Sequence, residues 1–151
     1  MKDIQVVDDF FTEQELKIVS DFCITKALAP IKNQEGSFGF RQGFNSNENL
    51  QWVFKKIKDV FIKNKDLVVD VACVHLRYNH LKALPHTDKQ GYNFICYVKG
   101  SPLFNNGTGF YKNNQLSMHV GFVENRALFL MEKIFFTLIY NHLVRVVQDI
   151  L

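Results

Sequence analysis

The chain has 151 residues, and 47% of them are hydrophobic, which suits one domain with a single apolar core. Aromatic residues make up 14% of the chain, so the composition excludes a disordered protein. The net charge is +3, and the lysines are scattered. Their densest cluster lies on a predicted helix, where a solvated helix face is favoured over a nucleic-acid-binding patch.

The three cysteines predict buried thiols rather than disulfides or a metal cluster. Cys23, Cys73 and Cys96 are odd in number, show no CxxC spacing and each lie in an apolar run, as expected in a reducing compartment. The chain begins MKDIQVVDDFF, which lacks the apolar segment of a signal peptide. Charged and polar residues interrupt the apolar C-terminal stretch. We therefore expect a soluble cytoplasmic protein without a membrane partner.

Two helices are predicted in the first half of the chain, at about 13–27 and 48–64. Thr12 and Glu15 form a capping box at the start of the first helix. The second helix carries an apolar stripe at helical spacing. Gly and Asn interrupt residues 30–47, a composition typical of a loop or a short strand.

Short strands dominate the rest of the predicted structure. They are placed at 4–7, 68–78, 92–100, 107–113, 115–123 and 126–130, from runs rich in β-branched and aromatic residues that Gly, Asn and Pro punctuate. Helices followed by many short strands predict an α+β, mainly β fold, an antiparallel barrel or jelly roll buttressed by N-terminal helices. One domain is expected, with a helical support region (1–67), a β core (68–130) and an atypical tail (131–151).

The tripeptide His86-Thr87-Asp88 is the chemical signal in this sequence. On an extended backbone the side chains of residues i and i+2 point to the same side, so His86 and Asp88 can reach one metal ion. Two histidines and one carboxylate define the facial triad of non-haem iron(II) oxygenases. A histidine and an aspartate in a loop exposed to water are the alternative interpretation of the tripeptide.

Four segments around this tripeptide resemble one family, in order along nearly the whole of 4–130. VVDDFFTEQELKIV resembles the family's opening strand and helix, and LRYNHLKALPHTD resembles its strand, loop and HxD motif. FICYVKGSPLFNNGTGF resembles the next strands, with Tyr97 predicted to belong to the core. VENRALFL resembles the strand before the distal histidine. The family is that of the iron(II), 2-oxoglutarate-dependent oxygenases of the prolyl-4-hydroxylase-like kind.

The resemblance implies a double-stranded β-helix, cupin-like, that uses Fe(II), 2-oxoglutarate and dioxygen to hydroxylate a peptide or a small molecule. It makes His86 and Asp88 the first two iron ligands. It makes Tyr78 a hydrogen-bond partner of 2-oxoglutarate, with a half-buried strand tyrosine as the alternative. His75 and His119 match no ligand position and are expected to be ordinary strand residues.

The tail departs from the family pattern. The family requires a third ligand, a histidine about 50 residues after HxD, and a basic residue ten to twelve residues later that binds 2-oxoglutarate. The segment after Phe129 reads LMEKIFFTLIYNHLVRVVQDIL and lacks the expected turn and histidine. His142 and Arg145 are only three residues apart, too close to fill both roles, so His142 is a doubtful third ligand.

A slip of the reading frame would explain this departure. In the shifted frame, one allowed back-translation gives FDGKNIFHSDLQSFGEGSARYS, which resembles the family's ending. The junction of Phe136 and Thr137 then permits only Tyr or His, about 50 residues past His86. The junction of Gln148 and Asp149 permits only Arg or Gly, twelve residues further on.

Two alternatives to this account remain. The tail can be a genuine divergent helix or strand pair, with His142 as an improvised ligand. If the frame slipped, the chain as written lacks its third ligand, its 2-oxoglutarate anchor and the last strands of its barrel, so the fold is incomplete at its C-terminus. A non-catalytic jelly-roll binding module and a degenerate oxygenase are then the functional alternatives. The sequence does not indicate the oligomeric state.

Overall fold

The computed structural model describes residues 4–25, 29–33, 36–61, 67–76, 86–87, 92–100, 102, 106–130, 135–139 and 142–150. The helices are α1 (Glu13–Thr25), a 3-10 helix (Glu48–Leu50) and α2 (Gln51–Phe61). The strands are β1 (Ile4–Val7), β2 (Ala29–Asn33), β3 (Gly36–Gly43), β4 (Leu67–Leu76), β5 (His86–Thr87), β6 (Tyr92–Lys99), β7 (Gly107–Lys112), β8 (Gln115–Gly121), β9 (Ala127–Leu130), β10 (Phe135–Ile139) and β11 (His142–Ile150). Within these described segments, no helix has the length and apolar character that crossing a membrane requires.

The strands form two open sheets. The larger sheet has the order β1-β9-β6-β11-β4-β3-β2, and the smaller has the order β5-β10-β7-β8. Every pairing between these described strands is antiparallel. The predicted mainly β jelly roll with N-terminal helices is confirmed.

The larger sheet has an apolar layer on each face, because successive side chains of a strand point to opposite sides. Val74 on β4 and Phe94 on β6 belong to a cluster shared with buried residues of both helices, such as Val19. Ile95, the next residue of β6, belongs to a second cluster with Phe110 of β7. The helices therefore cover the outer face of the larger sheet, and its inner face packs against the smaller sheet.

The predicted capping box at the start of α1 is present. Glu15 N donates to Thr12 Oγ1 at 3.3 Å, and Thr12 N donates to Glu15 Oε2 at 2.8 Å. The same carboxylate pairs with Lys56 of α2. The first turn of α1 is thereby tied to α2 by an ion pair that is only about one quarter exposed (side-chain exposures of 22% and 28%).

This ion pair makes the stability of the chain depend on pH. Burial opposes ionisation of Glu15, but the bonds from Lys56 and Thr12 outweigh it, so the pKa of Glu15 lies below its ordinary value of 4.5. A lowered pKa contributes stability above about pH 4.5, which is lost as the pH falls through the folded-state value. Glu15→Gln should lower the free energy of unfolding by about 1–2 kcal/mol at pH 7, and by progressively less below pH 4.

Denaturant unfolding between pH 3 and pH 7 measures this difference. Glu13→Gln is the matched control, because Glu13 is an exposed carboxylate in the same first turn. A destabilisation by Glu15→Gln that stays constant over the whole pH range would contradict the assignment.

A buried asparagine ties the segment before α1 to the turn between β8 and β9. Phe11 N donates to Asn125 Oδ1 at 2.8 Å, and Asn125 Nδ2 donates to Phe11 O at 2.7 Å. The backbone of Asn125 also bonds Phe10 and Tyr97. Asn125 has a φ of 66°, which asparagine tolerates better than most residues. The side chain therefore replaces the backbone pairing that two strands would otherwise supply.

Asn125→Ala should lower the free energy of unfolding by about 2–4 kcal/mol, because two buried hydrogen bonds are lost and both backbone groups of Phe11 lose a partner. Asn114→Ala is the control, since Asn114 has a similar φ of 61° but an exposed side chain. Both variants place an alanine at a positive φ and share that backbone cost. The difference between their two losses of unfolding free energy therefore measures the hydrogen bonds of Asn125. Equal losses of stability in the two variants would show that Asn125 acts through its backbone alone.

Two segments contribute more strand than the sequence indicated. Residues 30–47, predicted as loop or short strand, contain most of β2 and all of β3, which extend the larger sheet. The tail forms β10 and β11, and each lies between two other strands. The described part of the tail thus supplies two strands, in agreement with the alternative of a genuine strand pair, while both sheets stay open. Its apolar, β-branched residues pair as strands even where they do not match the family pattern.

Candidate metal centre

His86 opens β5, a two-residue strand in the smaller sheet. β5 pairs antiparallel with β10, and the register sets Phe136 opposite His86 and Phe135 opposite Thr87. The backbone at His86 is therefore extended, as the metal hypothesis requires. Asp88 and Tyr78 lie outside the described residues, so their expected convergence with His86 on one cavity stays a prediction.

Phe136 lies directly across the strand pair from His86. Residues directly opposite each other in an antiparallel pair share a face, with Cβ atoms about 4.5–5.5 Å apart. Phe136 also lies opposite Phe110 on β7, so the position is in the middle of three strands. Phenylalanine carries no atom that can bind a metal. As written, the residue opposite His86 does not fit an iron site.

His142 opens β11 and lies opposite Lys99 of β6 in the larger sheet, whereas His86 belongs to the smaller sheet. Among the described strand pairings, none sets the two histidines opposite each other, and the role of His142 as a third ligand stays a prediction. Among the residues whose placement is described, no group of three or more His, Cys, Asp or Glu side chains could hold a metal ion.

Tyr97 is a core residue, as the sequence predicted. Its hydroxyl lies 2.6 Å from Thr108 Oγ1 and 3.3 Å from the carbonyl oxygen of Val120, so it bridges β6 to both β7 and β8. Burial raises the pKa of Tyr97 above its ordinary value. The neutral phenol thus links the two sheets.

Sequence reasoning missed a pair of polar side chains on β4. Cys73 Sγ lies 2.9 Å from His75 Nε2, and both residues are buried. Ala72 and Val74 alternate with this pair and face the helices, so Cys73 and His75 belong to the inner face of the sheet. The i, i+2 spacing that singled out His86 and Asp88 was equally present here. His119, by contrast, is exposed on β8, the last strand of the smaller sheet.

Comparison with known proteins supports the fold. No protein-family model matches the chain, and no curated protein matches its sequence. Among solved structures, a viral collagen prolyl hydroxylase from Paramecium bursaria Chlorella virus-1 superimposes with a TM-score of 0.69 at 13% identity, over 98% of this chain and 90% of the other.

Two further solved structures extend this similarity. The non-haem α-ketoglutarate-dependent epimerase SnoN from nogalamycin biosynthesis gives a TM-score of 0.72 at 8% identity, over 97% and 78% of the two chains. A prolyl hydroxylase from Trichoplax adhaerens, in complex with a hypoxia-inducible-factor peptide fragment, gives 0.66 at 9% identity, over 97% and 83%. The chain has the fold of the 2-oxoglutarate- and iron(II)-dependent oxygenases, including those that hydroxylate proline.

Proposed function

We propose that this protein is a 2-oxoglutarate- and iron(II)-dependent oxygenase by descent, with a metal centre at the pairing of β5 and β10 that is incomplete as written. The observation that carries the proposal is the register of Phe136 opposite His86. A shifted frame permits histidine at the codon that spans Phe136 and Thr137. The reading frame and the strand register thus point to the same short stretch of β10.

The remaining parts of the proposed site follow from the resemblance. His86 and Asp88 would hold Fe(II), and Tyr78 would donate a hydrogen bond to 2-oxoglutarate. Bound iron supplies the reactivity toward dioxygen in this class, while the protein supplies geometry and a dry pocket. Because phenylalanine lies opposite His86 and no third ligand is assigned, no catalytic step is assigned to the chain as written.

The substrate class and the compartment are also part of the proposal. A peptide or a small molecule is the expected substrate, and the Trichoplax neighbour with its bound peptide fragment supports the first of these. The three cysteines are buried and not joined in disulfides, which supports a reducing cytoplasm.

The chain as written should release succinate from 2-oxoglutarate far more slowly than about 1 per second, the lower end of typical enzyme rates. Succinate formation with Fe(II) under air measures this directly, with His86→Ala as the control for background iron chemistry. If the chain turns over at about 1 per second or faster and His142→Ala abolishes that turnover, His142 is the third ligand and the proposal of an incomplete site is wrong.

A non-catalytic module with the same fold is the second candidate, and Phe136 opposite His86 favours it equally. The two candidates differ in what a restored ligand does. In a former oxygenase, a histidine at position 136 completes a site that His86 and Asp88 still define. In a module that never bound metal, it adds an isolated imidazole.

A further inference from the structure

The pair Cys73 and His75 on β4 has the arrangement of a thiol and its proton acceptor. The sulfur and Nε2 are 2.9 Å apart, well inside the distance for a hydrogen bond that involves sulfur. A thiol beside an imidazole transfers its proton more readily than an isolated thiol, and the thiolate is the reactive form. The two side chains lie on the inner face of the larger sheet, away from the helix-covered core.

The neighbouring strand β3 sets a glycine and an arginine across from this pair. Gly43 lies opposite Cys73 and Arg41 lies opposite His75. Among the described residues, a Cβ atom added at Gly43 would meet only the carbonyl oxygen of Ala72, at 3.8 Å, so Gly43 leaves room beside Cys73. Cys73 itself is only 4% exposed, which favours a small oxidant over a bulky one.

The other two cysteines have a different environment and serve as internal references. Cys23 on α1 and Cys96 on β6 both belong to the apolar cluster under the helices. Burial raises the pKa of Cys23 to about 12 and also raises that of Cys96. Buried thiols of this kind are chemically inert.

We propose that Cys73 is a peroxide-sensitive thiol, with His75 as its proton acceptor and hydrogen peroxide as the oxidant. The proton of Cys73 Sγ moves to His75 Nε2, and the sulfur attacks one peroxide oxygen. An S–O bond forms as the O–O bond breaks, and the departing hydroxide takes the proton from the imidazolium as water. The sulfur is oxidised to a sulfenic acid and the peroxide is reduced to water, so one thiol and one peroxide give one sulfenic acid and one water.

Oxidation would place a new polar oxygen on the inner face of the larger sheet. A thiol reductant reverses a sulfenic acid, so the modification can act as a switch. The chemistry uses only residues of β3 and β4 and does not depend on whether the protein binds iron.

The test follows each cysteine separately in the folded, metal-free chain. Hydrogen peroxide is added for increasing times, the chain is unfolded in iodoacetamide, and peptide mass spectrometry gives the alkylated fraction at each position. Cys73 should lose its alkylation at least tenfold faster than Cys23 and Cys96, and dithiothreitol should restore it. In the unfolded chain the three rates should agree within about twofold.

Substitution of His75, the proposed proton acceptor, provides the second part of the test. His75→Asn should slow the oxidation of Cys73 at least fivefold, while His119→Asn, at an exposed histidine of β8, should leave it unchanged. Equal rates at the three cysteines of the folded wild-type chain would overturn the proposal without any variant. If Cys73 is oxidised at an unchanged rate in folded His75→Asn, His75 is not its proton acceptor.

Discussion

A Phe136→His variant should bind Fe(II) at least tenfold more tightly than the chain as written. The substitution puts a histidine directly across the strand pair from His86, and residues opposite each other in an antiparallel pair share a face. Removing even an outer partner of a metal ligand costs about 10- to 100-fold in affinity. Supplying a missing ligand should gain at least as much.

Anaerobic calorimetric titration with Fe(II) measures this gain. Phe135→His is the matched control, because Phe135 lies opposite Thr87 and adjacent residues of a strand point to opposite faces. The double variant Phe136→His with His86→Ala should fall back to the affinity of the written chain. If Phe135→His binds as tightly as Phe136→His, the ion is not held between β5 and β10.

Restoring the whole shifted ending should have a larger effect, on both soluble yield and activity. The ending FDGKNIFHSDLQSFGEGSARYS supplies a histidine at the junction of Phe136 and Thr137 and an arginine at the junction of Gln148 and Asp149. Gln148 lies on β11 between Tyr92 of β6 and Val69 of β4, near the middle of the larger sheet. A charge-assisted hydrogen bond from arginine to a carboxylate of 2-oxoglutarate contributes about 1.5–3 kcal/mol, or about ten- to a hundred-fold in its binding.

The yield should rise because the written tail is apolar and β-prone with little charge. Such segments promote aggregation whenever they are exposed during folding. The comparison expresses both chains side by side and measures soluble protein, Fe(II) binding and succinate formation. A written chain that is the more soluble and the more active of the two would refute the frame slip and establish β10 and β11 as evolved parts of the protein.

The elements that the sequence predicted well are those with strong local signals. The capping box of Thr12 and Glu15 marks the start of α1, and the apolar, aromatic-rich run YNFICYVK marks β6, a strand with apolar residues on both faces. These signals depend only on residues that are neighbours in the sequence, so they can be recognised without knowledge of the tertiary structure.

The position of the tail could not be predicted in this way. β11 is inserted between β4 and β6, far from it in sequence, and such a pairing is decided by the whole sheet rather than by residues 142–150. The full extent of β2 and β3 could not be predicted either, because the glycines in this segment suggest breaks in a strand. Gly43 nevertheless closes β3, where it pairs with Cys73.

The candidate site was likewise predicted only in part from local sequence patterns. The i, i+2 rule identified His86 and Asp88 from the sequence, but it equally fits Cys73 and His75, and only the structure shows that the latter two touch. The residue opposite His86 depends on a strand register that no local pattern encodes. The shifted reading frame could name only the junction of Phe136 and Thr137 as a place for histidine, whereas the structure shows that Phe136 lies opposite His86.

A crystal structure of Phe136→His with Mn(II) and 2-oxoglutarate would test the central claim most directly. The account predicts one ion held by His86, Asp88 and the introduced imidazole, between β5 and β10, with 2-oxoglutarate bound to it. An ion bound by His142, or an empty β5–β10 pair in crystals grown with saturating Mn(II), would contradict it.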